Sequence, residues 1–474
     1  MNALSSRFDF APSISCGYRA GTGIESRAMH PSTFISSLYG EMRGYHRLVI
    51  RRLANRHQSL TRDALARMTS DLLDIRIDSA LSRFPFYKDV VIKHRGSIDG
   101  PITLQELPVW TREHQREFFD QQDSPPDSSY VHQTSGSTGL PVRFHITRAS
   151  YEWRTAIMDR SYSWARAEEG QRSFYIWAGA QKAPPLMHRL KRALHLSLQR
   201  RTFFDAFRQF GEEERAQCCR MINRTRPTSI VGYTGMLVDL ARFARDNPGA
   251  LIWKPKTMVN AAEGLLDGQR ELLENNLVDE VFLSYGSREF MNIAMECEAH
   301  NGYHIVTDNI VVEVVDDSGG VLPAGEPGRI VVTDLRNLAT PFIRYEIGDY
   351  GTLATDEPCS CGRPFPRLLS IDGRQQDVIV AADGRKLTGL YITYLMRQFD
   401  WIDGYQVVQE RVDKITIRLL TTVSLSPELE APIRAGIEKK LGADMQVALE
   451  QVDELSRKAN GKVELVISKL GTTD

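Results

Sequence analysis

No stretch of this sequence stays apolar for the length of a bilayer, so no membrane-spanning helix is expected. Neither charge dominates. Lys and Arg number 59 against 60 Asp and Glu, a formal net charge of −1, which removes the electrostatic case for nucleic acid or an anionic membrane surface as partner. Residues 1–30 are polar, with scattered arginines, and lack the apolar centre of a secretory signal. They are expected to be a disordered N-terminus on a cytoplasmic protein. Cysteine is sparse, six in 474 residues, and without a secretion signal disulfides are not expected. There is no internal repeat and no low-complexity tract. What remains is 42% hydrophobic and 25% charged, the composition of a globular protein. The length suits two or three domains.

The most informative stretch is Gln133-Thr134-Ser135-Gly136-Ser137-Thr138-Gly139-Leu140-Pro141. Its four hydroxyls can each donate to a phosphate oxygen, and its two glycines let backbone N–H groups approach an anion. The Walker spacing G-x-x-x-x-G-K-[ST] is absent, so a phosphate held here is held in another fold. The plain alternative is a Ser/Gly linker.

Residues 32–90 read as helices, and Thr111 reads as the N-cap of a helix over 112–119. Another helix is expected over 151–166. Short apolar strands are expected at 174–178, 229–233, 257–261 and 281–285, and helical patterns follow the second and third of these, at 237–245 and 269–276. Strands alternating with helices predict an α/β fold with a mostly parallel sheet. From 303 the pattern changes to antiparallel hairpins, with strands over 303–315, 328–334 and 350–354 and a turn at Asp316-Asp317-Ser318-Gly319-Gly320. From about Gly373 a smaller α+β unit is expected, with strands at 405–410, 414–421 and 445–452 and a helix at 427–441. The organisation predicted is a large unit over 31–372, its β subdomain at about 303–372, and a small lid over 373–474.

Further motifs follow in order. Leu283-Ser284-Tyr285-Gly286-Ser287-Arg288-Glu289 delivers an aromatic ring, a glycine and a carboxylate to the end of a strand, where open α/β sheets bind ligands. Arg344-Tyr345-Glu346-Ile347-Gly348-Asp349 places an Asp after a glycine turn, able to accept two ribose hydroxyls. Asp372-Gly373-Arg374-Gln375-Gln376-Asp377 sits at the unit boundary, and Arg457-Lys458-Ala459-Asn460-Gly461-Lys462 presents a lysine after a glycine. Cys359-Ser360-Cys361-Gly362 suits a metal turn, whereas the adjacent Cys218 and Cys219 suit core filling in a helix.

In this order the motifs resemble the adenylate-forming superfamily of acyl-CoA synthetases, adenylation domains and luciferases. Within it they look most like the phenylacetate–CoA ligase branch and its relatives in capsular polysaccharide gene clusters. The resemblance spans roughly residues 75–470 and includes Phe84-Pro85-Phe86-Tyr87 with Leu107-Pro108, Gly232-Tyr233 and Ala262-Glu263-Gly264. It implies that Thr134, Ser135, Gly136, Ser137, Thr138 and Gly139 hold the β- and γ-phosphates of ATP. Glu263 and Gly264 would border adenine, Tyr285 of the Tyr285-Gly286 pair would stack on it, and Glu289 would bind Mg²⁺. Asp349 and Arg374 would contact the ribose, Asp377 would lie near the hinge, and Lys462 would reach the acid carboxylate and the α-phosphate. Two departures stand out. Arg288 occupies the place of the family's usual Ser or Thr, where it could meet a phosphate as a cation or Ser287 could supply the hydroxyl. Val142-Arg143 replaces the usual lysine after the loop, with Arg143 as a substitute charge.

The branch also implies a structural zinc held by three thiolates and one imidazole: Cys297, Cys359, Cys361 and, by its place after Gly-x, His304 rather than His300. The implied reaction is ATP-dependent activation of a small-molecule carboxylic acid, with CoA as acceptor. An amine, sugar or carrier-protein acceptor is the alternative, and a non-catalytic nucleotide-binding scaffold is the alternative of another class. A homodimer is compatible with the reading. The acid pocket is expected near Trp177, Gly179 and Tyr233, whose rings suit an aryl or apolar acyl group.

Overall fold

The computed structural model describes residues 46–122, 129–134, 141–177, 193–205, 210–261, 264–265, 268–374 and 378–470, apart from 397, 400, 403, 422, 453–454 and 456–465. The first layer is a five-stranded, all-parallel sheet, in the order Arg201–Asp205, Ser173–Trp177, Ser229–Tyr233, Thr257–Ala261, Glu280–Phe282. Its central strands are buried on both faces, which is why they read as near-continuous apolar runs. Helices Glu212–Thr225, Thr234–Asp246 and Gln269–Asn276 cover it, and Cys218 and Cys219 fill the core between.

The second layer is a seven-stranded antiparallel sheet, in the order Ile310–Val315, Pro327–Asp334, Tyr345–Leu353, Arg367–Arg374, Tyr303–Ile305, Ala294–Glu296, Ser284–Tyr285. Two expectations are corrected here. The run 281–285 is not one strand: Glu280–Phe282 belongs to the parallel sheet and Ser284–Tyr285 to the antiparallel one. The chain changes sheets at Leu283, whose N–H is satisfied by the Glu296 carboxylate at 2.9 Å, while the Ser284 N–H meets Asn260 Oδ1 at 2.5 Å. Likewise 303–315 is two strands, parted by a turn in which the Asn309 N–H meets the Val306 carbonyl at 2.9 Å.

Helix Arg148–Trp164 forms one wall of the site. Thr147 caps it, accepting from the Ser150 N–H at 3.2 Å, a contact worth ~1 kcal/mol. Two buried ion pairs bind it to the antiparallel layer: Arg154 with Asp334, and Arg160 with Asp308 at 2.6 Å. Burial alone would raise the Asp308 carboxyl, but Arg160 and His57 outweigh it and hold it below the usual carboxylate range. Breaking either pair would strand a buried charge at a cost of about 3–5 kcal/mol.

The antiparallel hairpin Ser129–Gln133 with Arg143–Thr147 carries the Gly/Ser/Thr-rich motif between its strands, a context the sequence reading did not foresee. From 378 onward an antiparallel pair, Val378–Val380 with Lys386–Thr388, precedes a four-stranded mixed sheet in the order Gln446–Val452, Lys414–Leu420, Gly404–Arg411, Val466–Ser468. Helix Pro427–Leu441 packs on this sheet, whose core includes Val407, Ile415, Ile417, Ile433 and Ile437. No described helix is long and apolar enough to cross a membrane.

Candidate active site and metal centre

A cleft of about 1050 Å³ opens where the parallel strands end. Trp177, Tyr233 and Ala261, the last residues of three adjacent strands, line it, at the position where open α/β sheets bind ligands. The Trp177 and Tyr233 rings stack 4.9 Å apart. The hairpin supplies a second wall, helix Arg148–Trp164 a third, and residues 284–292 the floor.

The floor is tightly shaped. Residues Ser287 to Met291 form a turn, with the Met291 N–H donating to the Ser287 carbonyl at 2.8 Å. Met291 adopts φ 64°, a region that non-glycine residues seldom enter. A Cβ at Gly286 would lie 1.9 Å from the Met291 carbonyl oxygen. Gly286→Ala must therefore displace this turn. We expect a stability loss of about 1–3 kcal/mol by denaturant titration, with loss of nucleotide binding because the floor moves. A variant binding nucleotide as the parent does would mean that the turn is not part of the site.

Several predicted residues come together in the cleft. The Tyr285 hydroxyl donates to Asp349 Oδ2 at 2.8 Å, so the residues expected to contact adenine and ribose are bonded to each other. Arg374 is the backbone partner of Asp349 in the antiparallel ladder. Glu289 is buried, and the Tyr345 hydroxyl donates to its Oε1 at 3.3 Å. Burial, followed by the Glu289 charge, pushes the Tyr345 phenol up and keeps it a donor. Ser287 Oγ is buried with no partner among the described residues, which suits it for a ligand oxygen. Arg288 crosses to the hairpin, donating to the Gln133 carbonyl at 3.3 Å, and so stands beside Thr134.

Other residues are placed differently from expectation. The Thr134 hydroxyl accepts from the Val142 N–H at 3.0 Å and its own N–H donates to the Val142 carbonyl at 3.0 Å, so Thr134 closes the neck of the loop. Arg143 does not line the cleft. It pairs with Asp120 at 2.7 Å and lies over the Phe119 ring, because those groups on helix Arg112–Asp120 face it across the hairpin. Arg344 is a structural clamp, holding Glu313 at 3.1 Å and the Leu107 carbonyl at 2.8 Å. Gly264 is described but is not a cleft residue. Ser135, Gly136, Ser137, Thr138, Gly139, Glu263, Asp377 and Lys462 lie outside the described residues. Sequence reasoning missed Tyr345 as the partner of Glu289, although it stood inside the Arg344–Asp349 motif. It also missed Tyr151, Met158 and Tyr162, whose spacing on one helix was the available signal.

Away from the cleft, Cys297, His304, Cys359 and Cys361 bring one ligand atom each within 4.8 Å of the others. Strand Ala294–Glu296 delivers Cys297, its neighbour Tyr303–Ile305 delivers His304, and the turn before Arg367–Arg374 delivers both remaining thiols. The Cys297 and Cys359 sulfurs are 3.7 Å apart. That is about the edge of a tetrahedron with metal–sulfur bonds of about 2.3 Å. Cys361 Sγ lies 3.2 Å from His304 Nε2, and His304 Nδ1 meets the Phe365 carbonyl at 2.9 Å, which fixes the tautomer with Nε2 toward the sulfurs. A hydrogen bond between Cys297 and Cys361 pushes the Cys297 thiol up and holds Cys361 down, a lowering that His304 and Arg363 also support. His300 is elsewhere, between Glu280 at 3.1 Å and Glu296 at 3.2 Å. The donor set fits a metal ion, and with four protein ligands it leaves no open position for chemistry.

Known proteins bear on this geometry. Residues 379–469 match the family model of the CapK C-terminal domain. Phenylacetate-coenzyme A ligase of Thermus thermophilus is 26% identical over 373 residues, covering 75% of this chain and 80% of that protein. Protein CapK of Staphylococcus aureus is 21% identical over 397 residues, covering 81% and 85%. Among solved structures, 2-hydroxyisobutyryl-CoA ligase in the postadenylation state aligns with a TM-score of 0.61 at 20% identity, over 86% of this chain and 89% of that one, a likeness of fold.

Proposed function

We propose that this chain, which belongs to the adenylate-forming CoA ligase superfamily, couples ATP to a carboxylic acid and then passes the acyl group to CoA. The observation that carries the reading is the joined Tyr285–Asp349 pair beside buried Glu289, in a cleft at the strand ends. In the first half-reaction an acid oxygen bonds to the α-phosphorus of ATP and pyrophosphate leaves. The acid is already ionised at pH 7, so no general base is required. The barrier is mostly repulsion between anions, which positioning and neutralisation lower. In the second half-reaction the CoA sulfur bonds to the acyl carbon and AMP leaves.

Tyr285 and Asp349 would seat the nucleoside, and Ser287 and Arg288 would meet phosphate oxygens. Glu289, oriented by Tyr345, would hold Mg²⁺, which neutralises phosphate charge when bound. We place the boundary between a large nucleotide-binding unit and a lid at about 372/373, with Lys462 on the lid. The Cys₃His set would hold a structural zinc. A second reading differs only in the acceptor: an amine, a sugar or a carrier-protein thiol in place of CoA. The match of the lid region to the CapK C-terminal domain favours keeping it under test.

Acid-dependent ATP–pyrophosphate exchange over an acid panel tests activation, and product formation with and without CoA assigns the acceptor. ATP binding with no exchange on any acid of the panel would instead support a nucleotide-binding scaffold. Glu289→Gln keeps the shape and removes the charge. Exchange should fall about tenfold or more, and raised Mg²⁺ should restore part of it. A loss indifferent to Mg²⁺ would rule out the ligand role.

A further inference from the structure

A second cavity, of about 190 Å³, lies behind the acid end of the cleft. The two share four lining side chains, Tyr151, Met158, Tyr162 and Met291, so these side chains are the partition between them. The character of the walls changes across the partition. The cleft side presents the stacked Trp177 and Tyr233 rings. The far side is a polar bay. Arg51 of helix Arg47–His57 spans Asp159 and Glu169, the latter at 3.1 Å. Asp159 Oδ1 also accepts the Glu169 N–H at 2.6 Å, and Glu169 Oε1 accepts from Gln199 Nε2 at 3.2 Å. Gln199 Oε1 in turn accepts from Arg201 at 3.3 Å, and the Arg201 guanidinium lies over the Tyr175 ring. His195 completes the wall, and burial lowers its imidazole toward the neutral form, which both donates and accepts.

Resting on the acid-activation reading, we propose that this bay receives the far end of the acid. The substrate would then be a carboxylic acid whose distal end carries an uncharged hydrogen-bonding group, a hydroxyl or an amide, rather than a plain aryl or alkyl terminus. Three observations carry this. The bay lies directly behind the cleft, across the Tyr151, Met158, Tyr162 and Met291 side chains that line both, and has room for several non-hydrogen atoms. Its formal charges cancel among the described lining residues, Arg47, Arg51 and Arg201 against Glu152, Asp159 and Glu169. A second full charge on the ligand would upset that balance in a partly desolvated site, whereas a neutral donor and acceptor would not. Finally, the partition includes Met291, whose unusual backbone at φ 64° belongs to the same turn that forms the cleft floor. An apolar terminus in the bay would displace solvent from this bonded network without joining it, whereas a hydroxyl or amide would add a donor and an acceptor to it.

The test is ATP–pyrophosphate exchange by the wild-type protein with length-matched acids of four to eight carbons, linear and aryl. Each set carries a terminal methyl or hydrogen, hydroxyl, primary amide, carboxylate or ammonium. We expect kcat/KM for the hydroxyl or amide member of at least one set to exceed its apolar partner by about tenfold or more, with the doubly charged acids below it. Arg201→Met, which keeps the length and removes the cation, should bring the polar-to-apolar ratio to within about twofold of one. A wild-type preference for the apolar member in every set, or for the second carboxylate or the ammonium, would overturn the bay as a specificity site while leaving acid activation standing. An unchanged ratio in a folded Arg201→Met protein would do the same. Absence of acid-dependent exchange with every member of every set would overturn the activation reading, and this inference with it.

Discussion

Lys462→Ala should lower acid-dependent ATP–pyrophosphate exchange by about 10²- to 10³-fold, the scale for losing one charge contact formed in the transition state. ATP binding, followed by calorimetry, should change little. The asymmetry comes from where the groups sit. The proposed nucleoside contacts Tyr285 and Asp349 are joined at 2.8 Å, and both precede the proposed lid in sequence. Lys462 follows Gly461 in the C-terminal region, beyond the described residues, and its role rests on the resemblance of that motif. Two anions meet when the acid attacks the α-phosphorus, and a lysine brought to that point acts on the barrier rather than on nucleotide affinity. Lys462→Arg would keep the charge but replace a compact ammonium by a planar fork, so it should recover only part of the rate. Wild-type exchange in Lys462→Ala would remove the lysine from the reaction.

The sequence yielded its parts unevenly. Ser229–Tyr233 and Thr257–Ala261 were legible to the residue, since a strand buried on both faces has to be apolar throughout and ends where polarity returns. Gln269–Asn276 and Pro427–Leu441 were equally clear. The switch at Leu283 was not, because nothing local distinguishes one five-residue strand from two short ones in different sheets. The decision is made by Glu296 and Asn260, each satisfying an amide from a distant position. The same limit applied in the site. Tyr285 and Asp349 were each identified by motif, but their mutual hydrogen bond spans 64 residues of sequence. Arg143 was expected to serve the loop by its position after it. In the folded chain Asp120 and Phe119 claim it, and position along the chain carries no information about that competition. The polar bay was the least legible feature, since its walls come from helix Arg47–His57, helix Arg148–Trp164 and residues 195–201, none of which forms a motif.

Cys359→Ser or Cys361→Ser should remove metal and stability together. Purified wild-type protein should carry about one zinc per chain, since three thiolates and one imidazole at tetrahedral spacing form a closed structural site. Ligands from three separate elements mean that the ion would tie the strands Ala294–Glu296 and Tyr303–Ile305 to the turn before Arg367–Arg374. Metal binding free energy is then folding free energy. The loss should exceed about 4 kcal/mol, the range reached by removal of a metal rather than of one polar contact. In melting experiments that is a fall on the order of 10 °C. Chelation of the wild type should reproduce both changes. The control is the neighbouring imidazole. His304 points Nε2 at Cys361 Sγ, 3.2 Å away, whereas His300 is held between Glu280 and Glu296. His304→Ala should therefore release zinc, and His300→Ala should retain it. Cys218→Ser, in a different buried cluster, should leave metal content unchanged. Metal-free wild-type protein of full stability, by elemental analysis and melting, would return the three thiols to ordinary core packing.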